Sequence, residues 1–170
     1  DRIVIGDGWT RFGDYEYYYE RRKGNLDEHR DNAFLYDAEV GPIISYEVNE
    51  FVMNLVKETI GEIDPSGLYI GYYKNYKDDT GFEKTFKENT LYNLYYNNIE
   101  DGAIADGKEG LYMQPNGKWN YDAKNDGQKR GAIYRRRYMI YDDREYYIYK
   151  DPPTTWPDSK LVVQPPMSKE

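Results

Sequence analysis

Residues 109–134 read EGLYMQPNGKWNYDAKNDGQKRGAIY, and this stretch decides how the rest of the chain is interpreted. The apolar run at 111–113 predicts a short strand. Pro115-Asn116-Gly117 follows it and predicts a tight turn, because proline sets φ and Asn-Gly tolerates positive φ. Residues 119–122 and 132–134 then predict two more strands, the first beginning with a tryptophan. The stretch therefore predicts a hairpin, a polar loop and a closing strand.

Two capped helices are predicted upstream of this hairpin. Residues 25–36 form the first, with Asn25 as the N-cap and Glu28 placed to complete a capping box. Residues 45–60 form the second, which Ser45 caps and Gly61 ends. Its apolar side chains recur at i, i+3, i+4, i+7 and i+8, which predicts one buried stripe: Val48, Phe51, Val52, Leu55 and Val56.

Short strands are predicted around the helices. Residues 2–5 form one, and residues 9–12 and 15–20 form a hairpin about Gly13-Asp14. Residues 68–72 form a buried strand that follows turn residues. Residues 74–110 are polar with little regular pattern, and long connections of this kind are commonly functional.

Several motifs, in this order, resemble the C-type lectin-like domain family. Gly8-Trp9-Thr10-Arg11-Phe12 matches the Gly-Trp-x-x-Phe of its opening hairpin, and Tyr69-Ile70-Gly71-Tyr72 is similar to its central Trp-Ile-Gly-Leu. The turn at 117–122 is similar to its Gly-Lys-Trp-Asn-Asp, with Tyr121 inserted between Asn and Asp. The resemblance covers about residues 8–137. It implies an α+β domain, with two helices flanking antiparallel sheets and a long loop region at one end.

Three segments are predicted along the chain. Residues 1–137 form the lectin-like domain. Residues 138–150 read as an added β-hairpin, and residues 151–170 as an extended tail because they are rich in proline.

The chain contains no cysteine, so it forms no disulfide. The resemblance implies that two family disulfides are replaced, one at Ala33 and Tyr134 and the other near Gly110 and Ala123. Loss of a disulfide typically costs about 2–5 kcal/mol. We expect Tyr134 to pack into the space beside Ala33, and the C-terminal hairpin and dense tyrosine packing to offset the loss. Truncation after Arg137 should then lower the melting temperature.

The resemblance also suggests a candidate calcium site, because members of the family bind sugar through a calcium ion that is held by oxygen atoms of the loop. Asn120 and Asp122 retain the family's oxygens and would share one face of a strand. The loop half lacks the family's Glu-Pro-Asn, and Gln114-Pro115-Asn116 lies in the hairpin instead. A sugar-binding calcium site, a structural calcium site and a solvated acidic loop all stay open. The candidate metal ligands are Asn120, Asp122 and Glu109; the candidate ligand contacts add Glu100, Asp101, Tyr95 and Tyr96.

Charge and composition narrow the function classes. The net charge of −8 argues against a nucleic-acid partner, and the basic clusters at 21–23 and 135–137 are expected to be solvated. No apolar run approaches the ~20 residues that a membrane span needs. His29, the sole histidine, is expected on the surface of the first helix. No catalytic triad or nucleotide-binding loop is present, so an enzyme is not predicted.

The 21 tyrosines suggest a role in recognition. Tyrosine is enriched at interfaces, and the clusters at 15–19, 92–96 and 138–149 favour contact with protein partners or packing in an extracellular matrix or fibre. The alternative is that these rings form a tyrosine-rich core. A calcium-dependent, carbohydrate-binding lectin is the second functional hypothesis, and a protein that contacts mineral or ice is the third. No cofactor is required, calcium is an optional ligand, and a secreted protein with its signal peptide removed is expected.

Overall fold

The computed structural model describes residues 3–5, 8–73 and 96–138 of the 170. Its elements follow in chain order: β1 (Ile3–Ile5), β2 (Trp9–Phe12), β3 (Tyr15–Gly24), α1 (Leu26–Phe34), β4 (Glu39–Val40), α2 (Tyr46–Ile60), β5 (Leu68–Tyr73), β6 (Gly110–Met113), β7 (Trp119–Asp122) and β8 (Arg130–Arg137). Within the described residues, the predicted strands and both predicted helices are confirmed. Three predictions fall outside the described residues: those for Tyr92 and Tyr95, for most of the hairpin at 138–150, and for the tail at 151–170.

The described strands join in one mixed sheet with the order β1-β2-β3-β8-β5-β6-β7. Neighbouring strands are antiparallel except β5 and β8, which are parallel at Leu68–Gly131 and Tyr69–Ala132. β4 also pairs with β8, at Val40–Tyr134 and Glu39–Arg135. β8 is therefore the centre of the sheet, with β3 along one edge and β4 and β5 along the other.

Local chemistry explains where the helices begin and end. The side chain of Asn25 accepts a hydrogen bond from the Glu28 amide at 2.8 Å, and Glu28 accepts from the Asn25 amide at 2.9 Å, which is the predicted capping box. Ser45 accepts from the Val48 amide at 3.1 Å. α2 ends at Gly61, whose φ is 93°. Both caps satisfy amides that have no partner inside the helix.

The larger hydrophobic core lies between α2 and the sheet. The buried stripe of α2 packs there against side chains of β3, β5, β6, β7 and β8, and these include Tyr17, Tyr72, Met113, Trp119 and Ile133. A second core lies under α1, where Leu26 and Ala33 pack with Trp9, Tyr69 and Tyr134. Burying this apolar surface is the main driving force for folding.

Gly71 shows why one position of β5 carries no side chain. A Cβ atom at Gly71 would collide with the carbonyl oxygen of Val40 and would lie 2.7 Å from the carbonyl carbon of Gly41. The Gly71 amide donates to the Gly41 carbonyl at 2.8 Å. These neighbours are backbone atoms, so β5 and the segment after β4 can approach this closely only if residue 71 is glycine.

The tyrosines at 15–19 are not a surface cluster, contrary to the expectation that they form an interface. Tyr17 and Tyr19 are buried in the larger core, Tyr15 packs against it, and Tyr18 packs against the smaller core. The sequence did not separate the two possibilities, because alternate residues of β3 face opposite sides of a sheet that is covered on both. For this cluster, the tyrosine-rich core is the correct alternative.

The expectation that the basic clusters are solvated is wrong for Arg22 and Arg135, which are buried, whereas Arg137 is exposed. Arg22 pairs with Glu20, Nη2 to Oε1 at 2.7 Å, and both side chains are buried. Arg135 is fully buried and donates from Nε to Glu39 Oε2 at 2.9 Å. Arg136 donates to Glu16 at 3.1 Å. Arginine can be buried at these positions because each guanidinium has a carboxylate partner on a neighbouring strand or close in sequence.

Candidate functional site

The hairpin between β6 and β7 forms one end of the described sheet, where β7 is the edge strand. The Gln114 amide donates to the Lys118 carbonyl and the Gly117 amide to the Gln114 carbonyl, both at 2.8 Å. Gly117 has a φ of 87°, which an Asn-Gly turn accommodates at little cost. The predicted turn is confirmed, and it presents the side chains of Gln114, Asn116 and Lys118 at this end.

The segment after the undescribed part of the chain runs beside this hairpin. The Trp119 amide donates to the Asn98 carbonyl, and the Glu100 amide donates to the Trp119 carbonyl, both at 2.9 Å. Asn98 also donates its side-chain amide to the Gly117 carbonyl at 2.7 Å. These backbone contacts hold Glu100 next to the hairpin.

Trp119 fastens this end to the larger core. It is fully buried, and its Nε1 donates to Oδ1 of Asn49 on α2 at 2.9 Å. The rings of Tyr72 and Tyr96 each lie 5.7 Å from the Trp119 ring. Asn49 in turn donates to the Gly117 carbonyl at 3.3 Å. The hairpin is therefore held by both apolar packing and hydrogen bonds to α2.

Three half-buried polar side chains meet beside the hairpin. Gln114 Nε2 donates to Glu100 Oε1 at 2.7 Å, and Asn120 Nδ2 donates to Gln114 Oε1 at 3.4 Å. We call Glu100, Gln114 and Asn120 the loop-end cluster. A carboxylate beside two amides offers both donors and acceptors to a ligand. Glu100 and Asn120 were candidates from the sequence. Gln114 was not, because its position at the start of the turn gave no sign that its side chain contacts Glu100.

Asp122 lies on the same strand as Asn120 but has different partners. Its Oδ2 accepts from the Arg130 guanidinium and from the Gln128 amide at 3.0 Å, and its Oδ1 accepts from the Ala123 amide at 2.8 Å. Burial alone would raise the pKa of Asp122, but the hydrogen bonds from Arg130 and the two amides outweigh it and hold the pKa below its ordinary value. Trp119 and Tyr121 pack on the larger core, so Asn120 and Asp122 share the other face of β7, as predicted.

The buried guanidinium of Arg130 explains why Asp122 is held in this way. Arg130 donates from Nε to the Ser66 carbonyl at 2.6 Å and from Nη1 to the Tyr69 hydroxyl at 2.9 Å. Its charge also lies 3.5 Å above the centre of the Tyr112 ring. Asp122 is the carboxylate that neutralises this buried cation.

The remaining sequence candidates are dispersed. Glu109 Oε1 accepts from the Lys124 amide at 3.1 Å, Asp101 is exposed, and Tyr96 packs edge-on against Trp119. Tyr95 lies outside the described residues. Among the described residues, no group of three or more acidic, histidine or cysteine side chains is placed to share a metal ion. The three candidate metal ligands, Asn120, Asp122 and Glu109, are each engaged by a different protein donor.

Comparison with known proteins relates this geometry to solved structures. No protein-family model matches the sequence, and no curated protein is similar to it. The C-type carbohydrate-recognition domain of cow CD23, solved in the presence of an oligosaccharide, superposes with a TM-score of 0.65 at 20% identity and covers 82% of this chain and 100% of its own. Human lithostathine superposes with a TM-score of 0.65 at 17% identity, and the match covers 81% of this chain and 93% of lithostathine. A calcium-independent type II antifreeze protein superposes at 0.63 with 14% identity, covering 82% and 98%.

The chain has the C-type lectin-like fold. The identities are too low to carry more than the fold. Among the described residues, none of the helices has the length and apolar character needed to cross a lipid bilayer.

A hydrogen-bonded group occupies the place that the lectin-like resemblance assigned to a disulfide. Ala33 and Tyr134 are both buried in the smaller core. The Tyr134 hydroxyl lies 2.8 Å from His29 Nδ1 and 2.9 Å from Asn32 Nδ2. His29 Nε2 lies 2.6 Å from the Arg130 carbonyl. Because a carbonyl only accepts, Nε2 carries the proton, Nδ1 accepts from the tyrosine, and the hydroxyl accepts from Asn32.

His29 is therefore not on the surface, which corrects the expectation from the sequence. It is fully buried, and that burial lowers the pKa of His29 to about 4. The polar neighbours of His29 on α1 suggested an exposed face, whereas its partners lie about a hundred residues away in sequence on β8. No local pattern signals such a contact.

Proposed function

We propose that this chain is a non-enzymatic, extracellular recognition module whose ligand surface is the loop-end cluster with the adjacent hairpin. The observation that supports this proposal is the arrangement of Glu100, Gln114 and Asn120. They are half-buried polar side chains, Gln114 bonds to the other two, and they lie at the β7 end of the sheet near the exposed Lys118. A rigid hairpin held by Trp119 would present them with little entropy loss on binding.

The proposed ligand is a protein partner, bound without calcium. Lys118 Nζ lies 3.3 Å from Asn98 Oδ1, so the surface carries a cation, a carboxylate and amides. Such a mixture suits the polar rim of a protein interface. The Asp122 carboxylate, on which a calcium site at β7 would depend, already accepts hydrogen bonds from Arg130 and two backbone amides. A calcium ion would have to displace a buried guanidinium to use it.

A binding screen tests this proposal. The protein, displayed as a biotinylated tetramer, is screened against extracellular proteins in calcium and in EDTA. We expect a specific partner whose binding is unchanged by EDTA and falls at least tenfold in Glu100→Ala and Gln114→Ala. Asp126→Asn, an exposed carboxylate away from the cluster, is the matched control. Binding that the cluster variants leave intact would contradict the proposed surface.

Carbohydrate binding is the second candidate, and the same cluster favours it. Carboxylate and amide groups recognise sugar hydroxyls by hydrogen bonding, and one similar structure is a carbohydrate-recognition domain solved with an oligosaccharide. A glycan array with and without calcium, followed by calcium titration in a calorimeter, separates the candidates. Saturable calcium binding with a sugar signal lost on chelation would replace the protein-partner proposal with a calcium-dependent lectin.

A further inference from the structure

An open groove runs along α2, and its lining shares no residue with the loop-end cluster. It has a volume of about 460 Å³ and is lined by side chains of α2 and β2: Phe12, Tyr46, Glu47, Glu50, Phe51, Asn54 and Glu58. From residue 46 to residue 58 the helix rises about 18 Å. An extended peptide of about five residues has the same length.

The groove has an aromatic floor. The rings of Phe12 and Phe51 are stacked, with centroids 4.5 Å apart and an angle of 19° between their planes. Phe51 belongs to the larger core, while Phe12 is only half-buried. At one end, Tyr46 is 59% exposed. Aromatic side chains are enriched at protein interfaces, where a large ring adds apolar contact area.

Acidic side chains line the same groove. Glu47, Glu50 and Glu58 lie on the face of α2 that carries Asn54, and no lysine or arginine is among the described residues that line the groove. Burial raises the pKa of Tyr96, and the charges of Glu50 and Glu47 raise it further, so these carboxylates lie close enough to act on a ring next to the groove. The cation of α2, Lys57, is not among the lining residues.

We propose that this groove binds a segment of a partner protein that carries lysine or arginine side chains. Carboxylates supply charge-assisted hydrogen bonds to a guanidinium or ammonium group, and aromatic faces attract the same cations. The stacked rings give the aliphatic stems of these side chains an apolar surface to cover. The length of the groove suits an extended segment with two or more such residues. An acidic segment would be repelled, and a purely apolar one would desolvate Glu47 and Glu50 without offering them a hydrogen-bond donor.

The test uses a defined probe, a fluorescein-labelled peptide with the sequence Gly-Arg-Gly-Lys-Gly-Arg-Gly, and a control peptide with glutamate in place of each basic residue. Binding is measured by fluorescence anisotropy, and the site is mapped by amide chemical-shift changes in the ¹⁵N-labelled protein. We expect the basic peptide alone to bind, with the largest shifts at residue 12 and residues 46–58. An acidic protein attracts basic peptides in general. The outcome is therefore decided by where the peptide binds and by variants that remove the same number of charges elsewhere.

Two double variants provide that control. Glu47→Gln/Glu50→Gln removes two charges from the groove, and Asp106→Asn/Asp126→Asn removes two charges from exposed positions elsewhere. The first should weaken binding about fivefold or more, and the second less than about twofold. Tyr46→Ala should also weaken binding and leave the melting temperature within about 2 °C of the wild type, because the ring is exposed.

Three results would overturn the proposal. Equal weakening by the two double variants would show that the peptide responds only to net charge. Shifts centred on the hairpin at 114–120 would place the cationic segment on the loop-end surface instead. A groove covered by a second copy of the chain, shown by concentration-dependent association that Tyr46→Ala abolishes, would replace the partner peptide. Failure at the groove leaves the loop-end proposal intact, because the loop-end variants and the groove variants share no residue.

Discussion

The hydroxyl of Tyr134 on β8 donates to Nδ1 of His29 on α1 across 2.8 Å. This bond joins two elements that the C-type lectin-like family typically links covalently, and both side chains are fully buried. Asn32 donates to the same hydroxyl at 2.9 Å. A set of neutral hydrogen bonds therefore connects α1 to the centre of the sheet.

Replacing Tyr134 by phenylalanine should destabilise the protein strongly. Tyr134→Phe keeps the ring but leaves His29 Nδ1 and an Asn32 amide proton buried without their partner, so we expect the free energy of unfolding to fall by about 2–4 kcal/mol. Urea unfolding measures this change. Tyr112→Phe is the matched control, because the Tyr112 hydroxyl has no hydrogen bond to a described residue. Equal effects in the two variants would show that the hydroxyl of Tyr134 does not stabilise the fold.

Stability should depend on pH through His29. The pKa of His29 is about 4 in the folded protein and about 6.5 when the chain is unfolded, so the unfolded chain takes up a proton between these values and the folded chain does not. Stability is therefore lost as the pH falls through 6.5, and from pH 7 to pH 5 the loss is about 2 kcal/mol. Urea unfolding at the two pH values measures it.

His29→Gln isolates this effect, because a glutamine amide can donate and accept but does not titrate. The carboxyls of Asp122, Glu28 and Asp64 also have lowered pKa values, and they lose their stabilisation at lower pH, below their ordinary pKa values. The variant should therefore lose little stability between pH 7 and pH 5. A variant as sensitive to pH as the wild type would rule out His29 as the titrating group.

Adding one methyl group at Gly71 should disrupt the sheet. In Gly71→Ala the new Cβ collides with backbone atoms of Val40, Gly41 and Pro42, which cannot move aside as a flexible side chain can. We expect a loss of about 3 kcal/mol or more in the free energy of unfolding. Thermal unfolding followed by circular dichroism provides the measurement. Gly102→Ala, where a Cβ meets nothing within 4 Å but φ is 83°, is the control for backbone strain alone and should cost about 1 kcal/mol.

Asp122 should behave as the partner of Arg130 rather than as a metal ligand. Asp122→Ala leaves a buried guanidinium without its carboxylate, so stability should fall by about 2–3 kcal/mol. The loss should be the same in EDTA and in millimolar calcium. Differential scanning calorimetry under both conditions makes the comparison. A stabilisation of the wild type by calcium that disappears in the variant would favour a metal site.

Replacing one member of the buried pair Arg135 and Glu39 should destabilise the protein more than replacing both with apolar residues. Both side chains are almost completely buried, and the Arg135 guanidinium also lies 3.9 Å from the centre of the Tyr15 ring. Glu39→Ala should lower the free energy of unfolding by about 3–5 kcal/mol, because it removes the carboxylate that neutralises the buried Arg135 guanidinium. The double variant Glu39→Met/Arg135→Met should recover most of that loss. Urea unfolding of the single and double variants gives the coupling energy, and strictly additive effects would contradict the pairing.

Much of the secondary structure could be predicted because its causes are local. The capping box of Asn25 and Glu28, the apolar stripe of α2 and the Asn-Gly turn each depend on residues within one or two turns of one another. The order of these elements, with the motif around Trp119, was enough to predict the lectin-like fold. The same local reasoning failed for His29, Arg22 and Arg135, because each is buried by a partner that periodicity does not identify.

The candidate site was predicted only in part, for the same reason. Asn120 and Asp122 were correctly placed on one face of β7, but they do not form a joint site. Asn120 is hydrogen-bonded to Gln114, and Asp122 is paired with Arg130. The sequence by itself determined both helices, the hairpin turns and the positions of the strands, because these follow from steric limits on φ and from hydrophobic periodicity. Only the tertiary structure decided which charges on different strands meet inside the protein, because Glu39 and Arg135, or Glu16 and Arg136, become partners only when the sheet brings their strands together.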